Sequence, residues 1–255
     1  MTIDAALTPA EIALLPAADL MRTTCVVFDV LRATSTMLTG LAHGVKEIIP
    51  AATLEEALSA RERRPHALLG GERHGEKIDG FDLGNSPFEC QSAAGRTVIS
   101  TTTNGTVAIR ACSGAERVFI GAILNLEALA AELKRLSPER LLLVCAGTAD
   151  TLALEDVWAA GRLIALLGDA DLTDAAQTAL GVVRLHPSPL AALRASRNGR
   201  ALAAKGRGQE VEWCAEESRF NILGLLEKDA VRALPSHSLP VPALPTAVGS
   251  SGLRS

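Results

Sequence analysis

The feature that most constrains how this chain can fold is an alternation of short apolar runs with longer segments of helical composition. The apolar runs indicate buried strands, and they cover residues 24–30, 45–49, 96–101, 117–121 and 140–145. The segments between and after them have the composition of helices, at 33–42, 53–64, 106–112, 126–136 and 152–167. Strands that alternate with helices are typical of βαβ units around a parallel sheet. The sequence therefore predicts an α/β fold, a layered α/β/α arrangement with a largely parallel or mixed sheet.

The last third of the chain departs from this alternation. Residues 173–205 have mostly helical composition, and residues 210–215 predict one further strand. We therefore expect a mostly helical C-terminal part. It belongs to one catalytic region, residues 23–233, in which any break between two subdomains would fall near 168–175.

The two ends of the chain carry weaker patterns. Residues 1–22 are rich in Ala and contain two Pro, so they predict no clear element and are interpreted as an N-terminal extension. Residues 234–255 contain four Pro and scattered Ser, which is typical of an extended or disordered tail.

Composition narrows the class of partner. Of the 255 residues, 48% are apolar and 3% aromatic, and the net charge is -4. Nucleic acid would favour a basic surface with aromatic residues that stack on bases, so we do not expect it as a partner. The apolar runs are shorter than the roughly 20 residues that cross a bilayer, so we expect no membrane partner. A small anionic ligand fits this balance, and a homo-oligomer is possible.

Cysteine usage bears on the cellular compartment. The chain contains no CxxC pair, and its five cysteines are Cys25, Cys90, Cys112, Cys145 and Cys214. An odd number without paired spacing is typical of reduced thiols. The first residues are acidic where a signal peptide would need Lys or Arg. We therefore expect a cytoplasmic protein.

Three polar segments follow predicted strands, and ligands of open α/β sheets bind beyond the carboxyl ends of the strands. The first, DVLRATST, contains Asp29, a candidate metal ligand or nucleophile, and Arg32, which can bind phosphate oxygens in a bidentate manner. Thr34 and Ser35 add hydroxyl groups at the start of the next helix, where anions are favoured. A helix start with ordinary capping residues would show the same pattern.

The second and third segments, STTTNGT and CAGTAD, combine glycine with hydroxyl groups. Thr103, Asn104 and Gly105 lie in the second, and Gly147 and Thr148 lie in the third. Glycine lets the backbone approach an oxyanion closely, and hydroxyl groups can donate hydrogen bonds to it. Turns that need only the conformational freedom of their glycines would have a similar composition.

Three more candidate site residues lie in or directly after the third segment. Glu155 and Asp156 are adjacent acids near a predicted helix start, where negative charge is favourable in any case. Cys145 is a candidate nucleophile, although this residue type is more often a small buried hydrophobe.

Residues 70–87 form the most polar stretch between predicted elements. With five glycines among them, they supply Glu72, Arg73, Lys77, Asp79, Asp82, Asn85 and Ser86. Loops of this length inside a compact domain are usually functional, whereas the alternative is a solvated surface loop. His74 is a candidate base, although a single loop histidine is more often solvated.

Taken together and in this order, the segments resemble the ComB family, the 2-phosphosulfolactate phosphatases. The stretches that carry the resemblance are VVFDVLRATST, LLGGERHGEKIDGFDLGNSPFE, TTTNGT, IGAILN, CAGT and LEDVWAAG. They are colinear over residues 24–165, which makes the set more specific than any one motif. The rest of the C-terminal part is similar to the family only through SRNGRAL and the segment that ends at Cys214.

The resemblance implies a ComB-like fold and a Mg²⁺-dependent phosphatase, a phosphoric monoester hydrolase that converts 2-phosphosulfolactate to 3-sulfolactate and phosphate. In methanogens this step leads to coenzyme M. Such a substrate carries phosphate, sulfonate and carboxylate groups and needs several cationic or hydrogen-bonding partners. The expected substrate-binding residues are Arg32, Thr34, Ser35, Arg73, Lys77, Asn85, Ser86, Thr103, Asn104, Gly105, Gly147 and Thr148.

The metal and the attacking group follow as further expectations. Mg²⁺ prefers carboxylate oxygens and keeps some of its waters. The expected ligands are Asp29, Glu72 and Asp156, with Asp82 and Glu155 as alternates. The expected catalytic residues are Asp29, Arg32, Glu72 and Cys145. Haloacid dehalogenase phosphatases use Asp-x-Asp, but here Leu31 stands at the second position, so we expect direct attack by water.

Two other interpretations stay open. A metal-independent cysteine hydrolase of the isochorismatase type would use Asp29, Lys77 and Cys145, and thiol reagents would inhibit it. A non-catalytic protein that binds small anions would bind the same ligands without turnover.

Overall fold

The computed structural model describes residues 1–15 and 17–234. Within them, eleven strands form one sheet: β1 (Thr2–Ala6), β2 (Thr23–Phe28), β3 (Glu47–Pro50), β4 (Leu68–Arg73), β5 (Glu76–Lys77), β6 (Thr97–Thr101), β7 (Arg117–Gly121), β8 (Arg140–Cys145), β9 (Asp171–Leu172), β10 (Leu223–Glu227) and β11 (Ala230–Leu234). The same residues form eleven α-helices: α1 (Pro9–Ala13), α2 (Ala17–Leu20), α3 (Ala33–Ala42), α4 (Leu54–Arg63), α5 (Gly105–Ala111), α6 (Leu126–Leu136), α7 (Leu154–Leu167), α8 (Asp174–Leu185), α9 (Pro189–Ala195), α10 (Arg197–Ala204) and α11 (Gly208–Cys214). None of these helices is long and apolar enough to cross a membrane.

The sheet consists of two parallel blocks joined by an antiparallel hairpin. The strand order is β5-β4-β6-β3-β11-β10-β7-β2-β8-β1-β9. Strands β4, β6 and β3 are parallel to one another, and so are β7, β2, β8, β1 and β9. The hairpin β10–β11 pairs antiparallel with β7 on one side and with β3 on the other. These pairings make the two blocks run in opposite directions.

The layered α/β fold predicted from the sequence is confirmed, including a mixed sheet and a mostly helical C-terminal part. The sheet is mixed because the hairpin stands at its centre and β5 pairs antiparallel with β4 at one edge. Helices α8 to α11 follow one another between β9 and β10. Both blocks contribute to the cavity described below.

Strand β2 and helix α3 position the first polar turn. All six residues of β2 are buried, which explains its uninterrupted apolar and β-branched composition, since the strand is covered on both faces. In α3, Ala33 to Leu41 are all buried. Asp29 therefore stands where the chain leaves one buried element and enters another. The peptide bond between Leu31 and Arg32 is cis.

Two segments without predicted elements prove to be strands. Residues 1–22, interpreted as an extension, contain β1, which lies between β8 and β9 with Ile3 fully buried. Residues 68–73, at the start of the polar stretch, form β4 against β6. A Cβ on Gly71 would lie 2.0 Å from the carbonyl oxygen of Thr101, so close backbone packing takes the place of an apolar pattern there.

Residues 210–215, predicted as a strand, are helical in α11. The buried positions Glu210, Val211, Trp213 and Cys214 have helical spacing, and the apparent alternation of Val211 and Trp213 is a by-product of it. The predicted extended tail over 234–255 lies outside the described residues, except for Leu234, which ends β11.

Candidate active site

A cavity of about 370 Å³ opens where polar turns from both blocks of the sheet meet. The turn after β2, the end of β4, the turns after β6 and β8, and helix α10 all reach it. Its lining consists of Asp29, Leu31, Arg32, Glu72, His74, Gly75, Asn85, Thr103, Asn104, Gly147, Thr148, Ala149, Arg197, Asn198, Ala201, Leu202 and Lys205.

Contacts between the turns show that the two blocks meet at this cavity. The side-chain Nδ2 of Asn104, after β6, donates a hydrogen bond of 3.2 Å to the carbonyl oxygen of Ala146, after β8. The start of α5 lies directly against the turn after β2, where a Cβ on Gly105 would be 2.6 Å from that of Ala33. The two blocks run in opposite directions, so in a flat sheet the carboxyl ends of their strands would point to opposite sides. Their contact here means that the sheet twists between the blocks.

Asp29 is held by the turn that it begins and faces the cavity. Its Oδ1 accepts a hydrogen bond of 3.1 Å from the backbone N–H of Ala33, and its own N–H donates to Thr34 Oγ1 at 3.0 Å. Burial, together with the negative charges of Glu72 and Glu155, raises the pKa of Asp29 from 3.8 to about 7. A cation beside this carboxylate would favour its ionised form.

Glu72 is buried and its two oxygens join two turns. Oε2 accepts from the backbone N–H of Gly75 at 2.7 Å, and Oε1 accepts from that of Thr103 at 2.8 Å. The carboxylate thus fixes the turn between β4 and β5 relative to the turn after β6. Because backbone donors hold both oxygens, the carboxylate has a fixed orientation in the cavity.

Glu155 and Asp156 lie behind the cavity at the start of α7, almost fully buried. Asp156 accepts from the backbone N–H groups of Val30 at 2.8 Å and Gly147 at 3.1 Å, which ties together the turns after β2 and β8. Glu155 Oε1 accepts from Asn198 Nδ2 at 2.6 Å, whereas its buried Oε2 has no hydrogen-bond partner. Burial raises the pKa of both carboxyl groups, and for Asp156 the charges of Glu155 and Asp29 add to the effect.

Arg32 occupies a buried ion pair beside the cavity. Its Nη1 donates to Glu210 Oε2 at 2.5 Å, and its Nη2 donates to the carbonyl oxygen of Gly75 at 3.1 Å. The other oxygen of Glu210, Oε1, accepts from Ser86 Oγ at 2.9 Å. The side chains of Arg32 and Glu210 are only 4% and 11% exposed, so each charge depends on the other for compensation.

Comparison with known proteins agrees with the resemblance seen in the polar turns. Residues 10–229 match the family described as 2-phosphosulpholactate phosphatase. The chain belongs to this family. A family member from Deinococcus radiodurans is 41% identical over 224 residues, which cover 86% of this chain and 90% of the relative. It is named a probable 2-phosphosulfolactate phosphatase.

Two further relatives with the same name support membership of the 2-phosphosulpholactate phosphatase family. The protein from Carboxydothermus hydrogenoformans is 38% identical over 201 residues, or 78% of this chain and 84% of the relative. The protein from Thermotoga petrophila is 37% identical over 219 residues, or 85% of this chain and 94% of the relative.

The structure brings eight of the expected site residues to the cavity lining: Asp29, Arg32, Glu72, Asn85, Thr103, Asn104, Gly147 and Thr148. A second group stands directly behind the lining and holds it in place: Thr34, Ser35, Ser86, Gly105, Glu155 and Asp156. The hydroxyl groups of Thr34 and Ser35 bond within the turn itself. Thr34 Oγ1 accepts from the backbone N–H of Asp29, and Ser35 Oγ donates to the carbonyl oxygen of Val30.

Three charged residues of the polar stretch do not line the cavity. Arg73 donates to Thr101 Oγ1 at 2.9 Å and to the carbonyl oxygen of Glu72 at 2.7 Å. The exposed Lys77 donates to the carbonyl oxygen of Asp82 at 2.9 Å. The carboxylate of Asp82 accepts from Arg61 and from the backbone N–H of Leu69. In these positions the three side chains organise the loop.

Cys145 is fully buried at the end of β8 and does not line the cavity. Burial and the charge of Asp156 raise the pKa of its thiol well above the usual range, which disfavours the reactive thiolate. Lys77, its partner in a cysteine hydrolase, is also outside the lining. The geometry therefore gives no support to an Asp29–Lys77–Cys145 triad.

Several residues of the site were not predicted from the sequence. Arg197, Asn198 and Lys205 line the cavity from α10, and Glu210 pairs with Arg32. His74, considered only as a weak candidate, lines the cavity as well. Two segments of the sequence could have indicated these C-terminal residues. They are the SRNGRAL stretch and the segment ending at Cys214, the parts of this region that resemble the family.

The residues present fit a hard cation by chemistry, although they do not form a complete cage. Among the residues that the structure describes, no three His, Cys, Asp or Glu side chains form a group arranged to hold a metal ion. Mg²⁺ is commonly bound through one or two carboxylates, waters and substrate phosphate, so a full protein cage is not required. Glu155 Oε2 without a partner and the raised pKa of Asp29 both indicate uncompensated carboxylates.

Proposed function

We propose that this chain hydrolyses 2-phosphosulfolactate to 3-sulfolactate and phosphate in a Mg²⁺-dependent reaction. The observation that carries the proposal is the half-buried Asp29 in the lining of a polar cavity, near the charge of Glu155 and in the same lining as Arg32, Arg197 and Lys205. The names of the relatives supply the substrate. Phosphate esters hydrolyse very slowly without a catalyst, so charge neutralisation and positioning must lower the barrier greatly.

Asp29 and Glu155 are the carboxylates that would hold Mg²⁺. Asp29 faces the cavity, and Glu155 has an oxygen, Oε2, that lacks any hydrogen-bond partner. Glu72 and Asp156 have both oxygens engaged by backbone N–H groups, so they keep the surrounding turns in place. When bound, the ion would neutralise charge on the phosphoryl oxygens and lower the pKa of a water.

The chain's own groups would bind and orient the phosphate. Two of the five N–H donors of Arg32 go to Glu210 and Gly75, which leaves others for phosphate oxygens. The turns that contain Asn104 and Thr148 place polar groups on the same cavity. In the Asp-x-Asp arrangement the second acid protonates the leaving group. Leu31 stands at that position here and cannot do so, and direct attack by water is the expected route.

The test is phosphate release from 2-phosphosulfolactate with Mg²⁺ and then with EDTA, alongside other phosphate esters. Turnover that EDTA abolishes and Mg²⁺ restores is the expected result. The variant Asp29→Asn should lose both turnover and Mg²⁺ binding, measured by calorimetry. Asp82→Asn is the matched control, because Asp82 was an alternate ligand from sequence but lies outside the cavity lining. Full Mg²⁺-dependent turnover by the Asp29 variant would refute the assignment.

A further inference from the structure

The cavity lining combines carboxylates with cations. Asp29 and Glu72, at the ends of β2 and β4, contribute negative charges. Arg197 and Lys205 contribute positive charges, one from the start and one from just beyond the end of α10. We call this pair of cations the α10 wall. A ligand in the cavity therefore meets both acidic and basic side chains.

Arg197 brings a positive charge to the cavity that no nearby acid cancels. Its side chain is exposed, and among the described residues no carboxylate lies within salt-bridge distance of it. It acts on Glu155 only as a more distant charge that opposes the rise in the pKa of that carboxyl group. The guanidinium is therefore available to an anionic ligand.

Lys205 is paired, but the charges around it still sum to a positive value. Its Nζ donates to Glu76 Oε1 at 2.6 Å, and Arg207 donates to Glu76 Oε2 at 2.9 Å. Arg207 does not line the cavity and also donates to the carbonyl oxygen of Gly75 at 2.7 Å. Two cations share one carboxylate here, so one positive charge remains beside the cavity.

From this arrangement we infer that the α10 wall is the subsite for the anionic groups that the substrate carries in addition to its phosphate, and that Arg197 and Lys205 select for a sulfonate. The inference rests on the proposed function for the choice of substrate. Arg197 contributes one positive charge and the Lys205–Arg207–Glu76 group contributes another. The sulfonate and carboxylate of 2-phosphosulfolactate carry two negative charges, so the charges match.

Under the proposed function, the Mg²⁺ ion and Arg32 would bind the phosphoryl group. The charge at the α10 wall then orients the rest of the molecule. A phosphate ester without the additional anion would lose this contact and keep the reacting group unchanged.

The first experiment compares 2-phosphosulfolactate with 2-phospholactate, which differs by the absence of the sulfonate. Arg197→Gln and Lys205→Gln should each raise KM for 2-phosphosulfolactate by about 10- to 100-fold, the loss expected for one charged hydrogen bond. Turnover of 2-phospholactate should change far less. The preference of the enzyme for 2-phosphosulfolactate over 2-phospholactate should therefore be largely lost. Arg200→Gln is the matched control, because Arg200 is an exposed arginine of α10 outside the cavity lining. An unchanged preference in both variants would overturn the inference.

A second experiment does not depend on turnover. Calorimetry with 3-sulfolactate should show binding to the wild-type protein and to Arg200→Gln, and weaker binding to Arg197→Gln by a similar factor. Wild-type protein that hydrolyses neither ester yet binds 3-sulfolactate through Arg197 would refute the proposed function and keep the subsite. Hydrolysis of both esters with equal 3-sulfolactate affinity in all variants would refute the subsite and keep the phosphatase.

Discussion

Gly105 and Asp29 are in such close contact that a Cβ on residue 105 would lie 2.5 Å from Oδ2 of the carboxylate. The two residues belong to different blocks of the sheet, since Gly105 begins the helix after β6 and Asp29 follows β2. No side chain other than hydrogen leaves room for the carboxylate at this point. The contact therefore fixes where Asp29 stands in the cavity.

Replacing Gly105 with Ala should disable the site with only moderate loss of stability. The added methyl group would displace the Asp29 carboxylate or the helix that begins at Ala33. We expect kcat/KM to fall by about two orders of magnitude, as for small displacements of catalytic groups, and the free energy of unfolding to fall by about 1–3 kcal/mol. Gly208→Ala is the control, since Gly208 also begins a helix and its Cβ would meet open space. Equal activity of the two variants would contradict the role given to the contact.

Removing the partner of the buried Arg32 should destabilise the protein strongly. The side chain of Arg32 is only 4% exposed, and Glu210→Ala would leave its guanidinium without a compensating negative charge. Such a loss costs about 3–5 kcal/mol in the free energy of unfolding. Glu212→Ala, on the same helix, removes an exposed pair with Arg194 and should cost about 1 kcal/mol or less. Urea unfolding of both variants measures the difference. Similar losses would mean that Glu210 contributes no more than a surface pair.

The stability of the protein should depend on pH through Asp29. Its pKa is about 7 in the folded chain against an ordinary value of 3.8, so between about pH 4 and 7 the folded state keeps a proton that the unfolded state has lost. Stability from this group is therefore present at low pH and falls as pH rises through that window, by about 4 kcal/mol in total. Asp29→Asn lacks the titration. Without metal, its stability relative to wild type should rise from pH 4 to pH 8, and parallel curves would argue against the raised pKa.

Thiol chemistry should leave the enzyme unaffected. All five cysteines are buried, and the pKa of the Cys145 thiol is raised, so the native protein should resist thiol reagents over the time of an assay. Cys145→Ala should keep turnover close to that of the wild type, with a modest loss of stability from the smaller core side chain. A folded Cys145→Ala protein without activity would reopen the cysteine-hydrolase interpretation.

How far the fold follows from the sequence depends on the range of the interactions. Strand β2 and helix α3 were predicted because their apolar patterns are local and long enough to recognise. Strand β1 was missed because five residues with one strongly apolar side chain, Ile3, carry little signal. Its identity as a strand comes from pairing with β8, more than a hundred residues further along the chain.

The same distinction applies to the site. Asp29 and Arg32 were found because they stand at the end of a recognisable strand, where ligands of α/β sheets usually bind. Glu210 could not be found that way, since it lies 178 residues from Arg32 and its segment was predicted as a strand. Asp82 was an alternate metal ligand from the sequence but lies outside the cavity lining, because residue type shows that an acid is present and does not show where its side chain lies.

The hairpin β10–β11 also sets the order in which the molecule can be completed during synthesis. In the sheet, β3 and β7 are not neighbours, and each borders the hairpin instead. A nascent chain that has reached only residue 222 contains the strands of both blocks but lacks the hairpin that joins them within the sheet. Since both blocks supply the cavity, we expect activity only after residues 223–234 have left the ribosome, and a chain stalled before them would remain inert.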